Sequence, residues 1–385
     1  MIYMDNAATT RVWPEVRQAV IPFLEETYGN PSGVHDAGRQ ARKACEHARR
    51  CIASYLGADA GEIYFTSGGS EADSWAIIGS AFAPGNQKRT FITTAIEHKA
   101  VLNAAGFLEK QGFRVKYLPV DNEGRVDMET LKNEIDADTF LVSVMAANNE
   151  VGTLEDIDTA CKIAHSAGAR FHTDAVQAIT SREWDLHRQK YDFLSLSGHK
   201  LHAPKGTGVL YIKEGVHVSP IIFGGAQERG KRGGTENICG IVGLGKAFEL
   251  LKTKCDGTRV AALRDRLETG VLTRIEGVQR NGDPQNRLAG TTNLSFEGVE
   301  GEALLLSLDL KRIAVSAGSA CTSGSMDPSH VLMSMGLSAQ RAQSSVRFSL
   351  CEDNTPEDVD TVLDILAETV ERLRKMNSAY KERRL

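Results

Sequence analysis

Between residues 60 and 215, short β-rich runs alternate with amphipathic helical segments, and this alternation limits the chain's folding choices more than any other feature. The runs are EIYF (62–65), RTFITT (89–94), TFLVSVM (139–145), ARFHTD (169–174), YDFLSLS (191–197) and GVLYIK (208–213). Between several of them lie EADSWAIIGSAF (71–82), HKAVLNAAGFLEKQG (98–112) and TACKIAHSAG (159–168), which read as helices. Strand, helix, strand in repetition predicts a mostly parallel sheet with helices on both faces. Ligands of such sheets bind at the carboxyl ends of the strands.

After Gly240 the pattern changes. GIVGLGKAFELLKTK (240–254) and RVAALRDRLETGVLTRIEG (259–277) read as two helices, with a junction at 255–258. TTNLSFEG, EALLLSLDLKRIAVSAGSA, SSVRFSL and the helical PEDVDTVLDILAETVERLRKM then predict a smaller α+β domain. The expected division is a large domain over 14–257 and a small domain formed by 1–13 and 258–385. A chain of 385 residues is too long for one simple core, which favours such a split.

Chemistry-bearing residues collect where the predicted strands end. YDFLSLS runs into SGHK, ending at Lys200. A lone lysine there is most simply a surface residue opening a loop, but its surroundings argue otherwise. FTSGGSEAD follows a strand and opens a helix, so Gly68, Gly69 and Ser70 offer an anion cradle suited to a phosphate. Taken alone, the same stretch is an ordinary helix start with Ser70 as cap and Glu71 in the first turn. Asp174 ends another strand, with Gln177 three residues on. His98 follows a third, and Asn148 and Asn149 a fourth. A lysine amine, a carboxylate, a stacking imidazole and a phosphate cradle on one sheet edge are the parts a pyridoxal phosphate site needs.

Composition narrows the classes. The net charge of −5 gives no basic bias toward nucleic acid. No run approaches the length of a membrane span, and MIYMDNAATT lacks the features of a signal peptide. The seven cysteines are odd in number and scattered, with no CxxC. That argues against a disulfide framework and a zinc site, and for a reducing cytoplasm. GAQERGKR (225–232) fits G-x-x-x-x-G-K, but Arg232 stands where Ser or Thr is needed, and the strand–loop–helix context is missing.

Together, YMDNAATT, YGNPSGVH, FTSGGSEAD, TAIEHKAVL, NNEVGT, HTDAVQA, SGHKLHAPKGTG, GGAQERGKRGGTEN, GSACTSGSMDPSHVL and SSVRFSL resemble the cysteine desulfurases of the NifS/IscS kind, in the class V aminotransferase superfamily. The likeness spans nearly the whole chain. It implies the α/β fold type I of pyridoxal phosphate enzymes, with the cofactor held through Lys200. His98 then stacks on the ring, Asp174 pairs with its nitrogen and Gln177 with its hydroxyl. Gly69, Ser70, Ser197 and His199 match phosphate contacts. Thr235 matches a contact supplied by a partner subunit, which implies a homodimer. Asn149 and Arg347 match the groups near the substrate carboxylate. No metal is implied. Ser74, Gly33, Ala203, Ala226 and Cys351 depart from the usual pattern, and Cys351 reads as a small buried residue.

The implied reaction turns L-cysteine into L-alanine and leaves the sulfur on Cys321 as a persulfide, for delivery to an iron–sulfur or thiolation acceptor. A selenocysteine or cysteine lyase, or another aminotransferase of this fold, would share Lys200 and Asp174 without needing Cys321. Cys321 sits in AVSAGSACTSGSMDPSH, a run that builds neither core nor rigid helix. Gly318 and Gly324 bracket it. A mobile loop over about 316–328 would let one thiol meet substrate inside and an acceptor outside. The candidates for taking the proton of Cys321 are His98 and the substrate thiolate.

Overall fold

In the computed structural model of the chain, residues 1–317, 327–377 and Tyr380 are described. The strands are β1 (Ile2–Tyr3), β2 (Ile63–Thr66), β3 (Thr90–Thr94), β4 (Arg114–Leu118), β5 (Thr139–Ser143) and β6 (Arg170–Asp174). They continue with β7 (Phe193–Ser197), β8 (Gly208–Ile212), β9 (Val278–Asn281), β10 (Thr291–Phe296), β11 (Ile313–Ala314) and β12 (Ser345–Ser349). Seven form one sheet in the order β2-β8-β7-β6-β5-β3-β4. From β4 to β7 every pairing is parallel, and β8 is antiparallel to both β7 and β2.

The strands read from sequence are buried along their whole length, apart from Arg170 at the start of β6. This is the pattern of a sheet covered on both faces. Successive residues divide between the covers. Leu194 and Leu196 join one apolar cluster with Ile52, Leu56 and Leu244, while Phe193 joins another with Trp75, Phe91 and Phe140. The sequence reading misses β4. Its residues RVKYL are mostly charged or exposed, because β4 is the sheet edge.

A second, antiparallel sheet has the order β12-β10-β9, and β1 pairs with β11. A third apolar cluster, including Leu267, Phe296, Phe348 and Leu366, packs there. The helix Ile238–Lys254 ends at Cys255. Asp256 then caps Gly257–Arg274 by accepting from the Thr258 and Arg259 amides, so the junction falls where expected. Pro356–Met376 opens with a capping box between Thr355 and Asp358.

The 225–232 segment is no phosphate loop. Glu228 and Arg229 sit at φ 45° and 58°, inside a four-residue turn. The buried Glu228 carboxylate takes both Arg49 Nη groups, at 2.9 and 2.8 Å, and the Phe65 amide at 2.9 Å. This pair fastens the segment to the helix Asp36–Leu56 and to β2.

Gly208 brings the turn before Gly69 close to the sheet. A Cβ there would lie 2.7 Å from Gly68 Cα and C and from the Leu196 carbonyl oxygen, all backbone atoms. Gly208→Ala should therefore cost about 1–3 kcal/mol, as overpacked sites do. Thermal denaturation should show the loss, and a melting temperature equal to the parent's would refute the steric reading. Glu155 gives a pH-dependent test. Burial pushes its carboxyl up to about 8, against one hydrogen bond from the Val126 amide. The folded state thus keeps a proton that the unfolded state gives up, and stability is lost as pH rises from the ordinary carboxylate range toward 8. Glu155→Gln should raise the melting temperature more at pH 8 than at pH 5. An equal change at both would contradict this.

Candidate active site

The site is built on strand ends. β7 stops at Ser197, and the short turn Gly198–Lys200 follows directly. Lys200 Nζ donates to the Ala7 and Ala8 carbonyls at 2.6 and 2.7 Å. Gln177 Nε2 donates to the same Ala7 oxygen at 2.9 Å. The N-terminal DNAATT stretch therefore forms one wall, a role no side chain advertised.

Asp174 ends β6 and is 5% exposed. Its Oδ1 accepts from the Val176 amide at 2.8 Å. Burial raises its pKa, while His98, that amide and Lys200 act in the other direction. Asp73, one turn into the helix Gly69–Ala81, is pushed well up by burial and then by the Asp174 charge. His172 Nε2 stands 3.6 Å from Asp73, but burial lowers that imidazole to about 3 and keeps it neutral. Glu97 is buried and raised as well; its Oε1 accepts from the Met145 amide at 2.8 Å and Thr94 Oγ1 at 3.0 Å. The floor is thus a set of desolvated acids beside a neutral histidine.

His98 caps the helix Lys99–Lys110, with Nδ1 accepting from the Ala100 amide at 3.1 Å. Gly69 and Ser70 begin the helix Gly69–Ala81, but its cap is Gly68, not Ser70. Glu71 accepts from the Ser67 amide at 2.8 Å and takes the Arg232 guanidinium at 2.8 and 3.0 Å. A Cβ on Gly69 would lie 2.8 Å from Val176 Cγ2, so glycine keeps this approach open. His199 pairs through Nδ1 with Thr9 Oγ1 at 3.2 Å; burial and the nearby lysines lower it to about 4.

Arg347 lies in the middle of β12 and is 1% exposed. It donates to the Asn149 carbonyl at 2.7 Å and to Asp5 Oδ1 at 2.9 Å. Asn148 turns inward: its amide donates to the Ile96 carbonyl and its oxygen accepts from the Glu150 and Val151 amides. It shapes the turn that presents Asn149.

Ten of the twelve expected site residues line one cleft of about 240 Å³, and Thr235 and Cys321 are the exceptions. Thr235 is exposed and outside the cleft. Cys321 falls within 318–326, outside the described residues. Both flanks of that segment meet the cleft. Ser316 exchanges backbone hydrogen bonds with Arg347, so the chain is still paired where a loop was expected to begin. Ser329 Oγ donates to Glu150, and His330 Nε2 donates to the Glu97 carbonyl at 3.0 Å. Ser74, Gly33, Ala203, Ala226 and Cys351 do not line the cleft. Sequence reasoning missed Asp5, Asp73, Glu97 and Glu150. Two signals were present: Asp5 stands in YMDNAATT, and Glu97 immediately precedes His98.

The aminotransferase class-V family model matches residues 2–362. The cysteine desulfurase IscS of Clostridium botulinum (strain Hall) is 48% identical over 99% of this chain and 97% of its own length. The structure of a NifS-like protein superposes with a TM-score of 0.90 at 40% identity, covering 96% of this chain and 99% of that one. The structure of SspA in complex with cysteine gives 0.82 at 36% identity, covering 92% and 100%. With its parallel sheet, its strand-end lysine and these full-length likenesses, the chain belongs to the class-V aminotransferases and, among them, to the cysteine desulfurases of the IscS and NifS kind.

Proposed function

We propose that this chain is a pyridoxal phosphate-dependent cysteine desulfurase, converting L-cysteine to L-alanine with a persulfide formed on Cys321 and passed to an acceptor protein. One observation carries the reading. Lys200, His98, Asp174 and Arg347 meet in one cleft, and both flanks of the Cys321 segment are anchored at its rim.

The donor set suits the cofactor. Gly69 and Ser70 at a helix start, with Ser197 and neutral His199, suit a phosphate dianion. Asp174, raised by burial beside Asp73, favours a cation next to it, and a protonated ring nitrogen is one. Bound there, the cofactor supplies an electron sink for charge released at the substrate Cα. Lys200 would hold it through Nζ, and the same amine is placed to carry the Cα proton. His98, which lines the same cleft, would stack on the cofactor ring and move protons.

Arg347 suits the substrate carboxylate, because a planar guanidinium grips it with two parallel hydrogen bonds. Cys321 attacks the substrate sulfur as thiolate. An S–S bond forms as the substrate C–S bond breaks, its electrons go to carbon, and a proton completes alanine. An ordinary thiol is only a few per cent ionised at pH 7. His330 joins His98 as a group to take its proton. Its Nε2–H is held by the Glu97 carbonyl, so Nδ1 is the basic nitrogen, and burial keeps the ring neutral.

We further infer a homodimer in which Thr235 reaches the partner's cofactor phosphate. In support, Thr235 is exposed outside its own cleft, and the neighbouring Phe223 is 83% exposed. The segments holding them are joined by the Gly233 amide on the Ile222 carbonyl. The domain division at 13/14 and 257/258 belongs to the same proposal. No described helix is long and apolar enough to cross a membrane, and a cytoplasmic site of action is proposed.

The test separates this activity from a lyase of the same fold. In Cys321→Ala, alanine formation from L-cysteine should fall by at least a hundredfold. The visible absorbance of bound pyridoxal phosphate should stay as in the parent. Unchanged alanine formation would sink the desulfurase reading.

A further inference from the structure

A second cavity, of about 110 Å³, adjoins the cleft and shares Ala7, Gln177 and Lys200 with it, and Cys255, Cys351, His202 and Glu352, none of which lines the cleft, all line it. These residues are remote in sequence. His202 follows Lys200 by two positions, Cys255 separates two helices, and Cys351 and Glu352 follow β12. Donor atoms of His202, Cys351 and Glu352 lie within 4.8 Å of one another. The Cys255 thiol lines the same cavity beside them.

His202 is held as a metal-binding imidazole is held. It is a non-glycine residue at φ 59°, in the left-handed region, where backbone strain is tolerated only when the surroundings impose it. Its ring stacks on Trp13 with centroids 4.3 Å apart and planes 3° from parallel. Its Nδ1 lies 2.8 Å from the Arg11 carbonyl, which only accepts, so Nδ1 carries the proton. The lone pair is then on Nε2, 3.5 Å from Glu352 Oε2. Fixing the tautomer through a backbone carbonyl is the usual outer-sphere support of a metal-bound histidine. Cys351 Sγ in turn accepts from the Asp353 amide at 3.5 Å, a bond that suits a thiolate.

We propose that Cys255, Cys351, His202 and Glu352 form a binding site for a thiophilic divalent cation such as Zn²⁺, distinct from the cofactor cleft. Two sulfurs, one imidazole nitrogen and one carboxylate oxygen are a tetrahedral zinc donor set. Zinc–nitrogen and zinc–sulfur bonds of about 2.0–2.3 Å place donors about 3.4–3.7 Å apart. The His202–Glu352 separation already falls in that range. An ordinary thiol is mostly protonated at pH 7. Binding therefore displaces two thiol protons to solvent, and the metal stabilises the thiolates. The cation would join the segment after Lys200 to the end of the strand that carries Arg347. Metal occupancy would thus stiffen the frame between the two. The proposal stands independently of the desulfurase reading.

The test uses full-length holoprotein carrying Cys321→Ala and His47→Ala. These changes remove the loop thiol and a surface cluster in which His47, Cys51 and Glu249 stand 2.9–3.7 Å apart. After reduction and chelation, Zn²⁺ is titrated calorimetrically in buffers of different ionisation enthalpy, and Co²⁺ is followed by its thiolate charge-transfer absorbance. We expect one Zn²⁺ per chain with release of two protons, and a charge-transfer band with Co²⁺. Adding Cys351→Gly, Cys255→Ser or Glu352→Gln should weaken Zn²⁺ binding at least tenfold, with cofactor absorbance retained as the check on folding. Parent-like affinity in all three would overturn the proposal. So would failure of the reduced protein to take up Zn²⁺.

Discussion

Strand direction is the constraint on which the rest depends. Five neighbouring strands, β4, β3, β5, β6 and β7, run parallel, so each must return through a crossover and each delivers its carboxyl end to the same edge. Asp174 ends β6, Lys200 follows β7 by one turn, and His98 lies beyond β3. Residues separated by a hundred positions meet because of that geometry. The opposite wall comes from elsewhere. Arg347 is carried by β12 of the second sheet, and the N-terminal segment bridges the two, with Asp5 on Arg347 and the Ala7 and Ala8 carbonyls on Lys200.

Electrostatics then sets the character of the cleft. Burying an ionised carboxylate without a partner is costly enough that the group tends to hold its proton. Asp174, Asp73 and Glu97 are all raised in this way, and His172 beside them is neutral. Such a floor is a poor place for a hydrated anion and a good one for a cation shielded from water. The same cleft also has a helix start and neutral His199, which suit an anion. A ligand with a cationic ring and an anionic tail matches both sets of groups at once.

Much of this was legible in the sequence, for identifiable reasons. Strands buried on both faces are continuous apolar runs, so β3, β5, β7 and β8 stood out, whereas edge strand β4 carries RVKYL and did not. Lys200, Asp174 and His98 were legible because each ends a strand run or lies within four residues of its end. Contacts made by backbone carbonyls, such as those of Ala7, Ala8 and Glu97, leave no residue-type signal. Ser70 looked like a helix cap because serine is a good one, yet Gly68 takes the position. The Cys255–Cys351 cluster was invisible for a different reason. Cysteine spacing argued against a metal, and only the fold brings the donors of His202, Cys351 and Glu352 together and lines one cavity with them and Cys255.

The central claim is that this cleft moves sulfur from L-cysteine onto one cysteine of the chain. It is tested most directly by a single turnover with ³⁴S-labelled L-cysteine, followed by alkylation and peptide mapping by mass spectrometry. The account predicts one added ³⁴S atom on the peptide carrying Cys321, in amount equal to the alanine formed. Labelled sulfur on Cys351 or Cys45, or alanine formed with all the label in free sulfide, would contradict it.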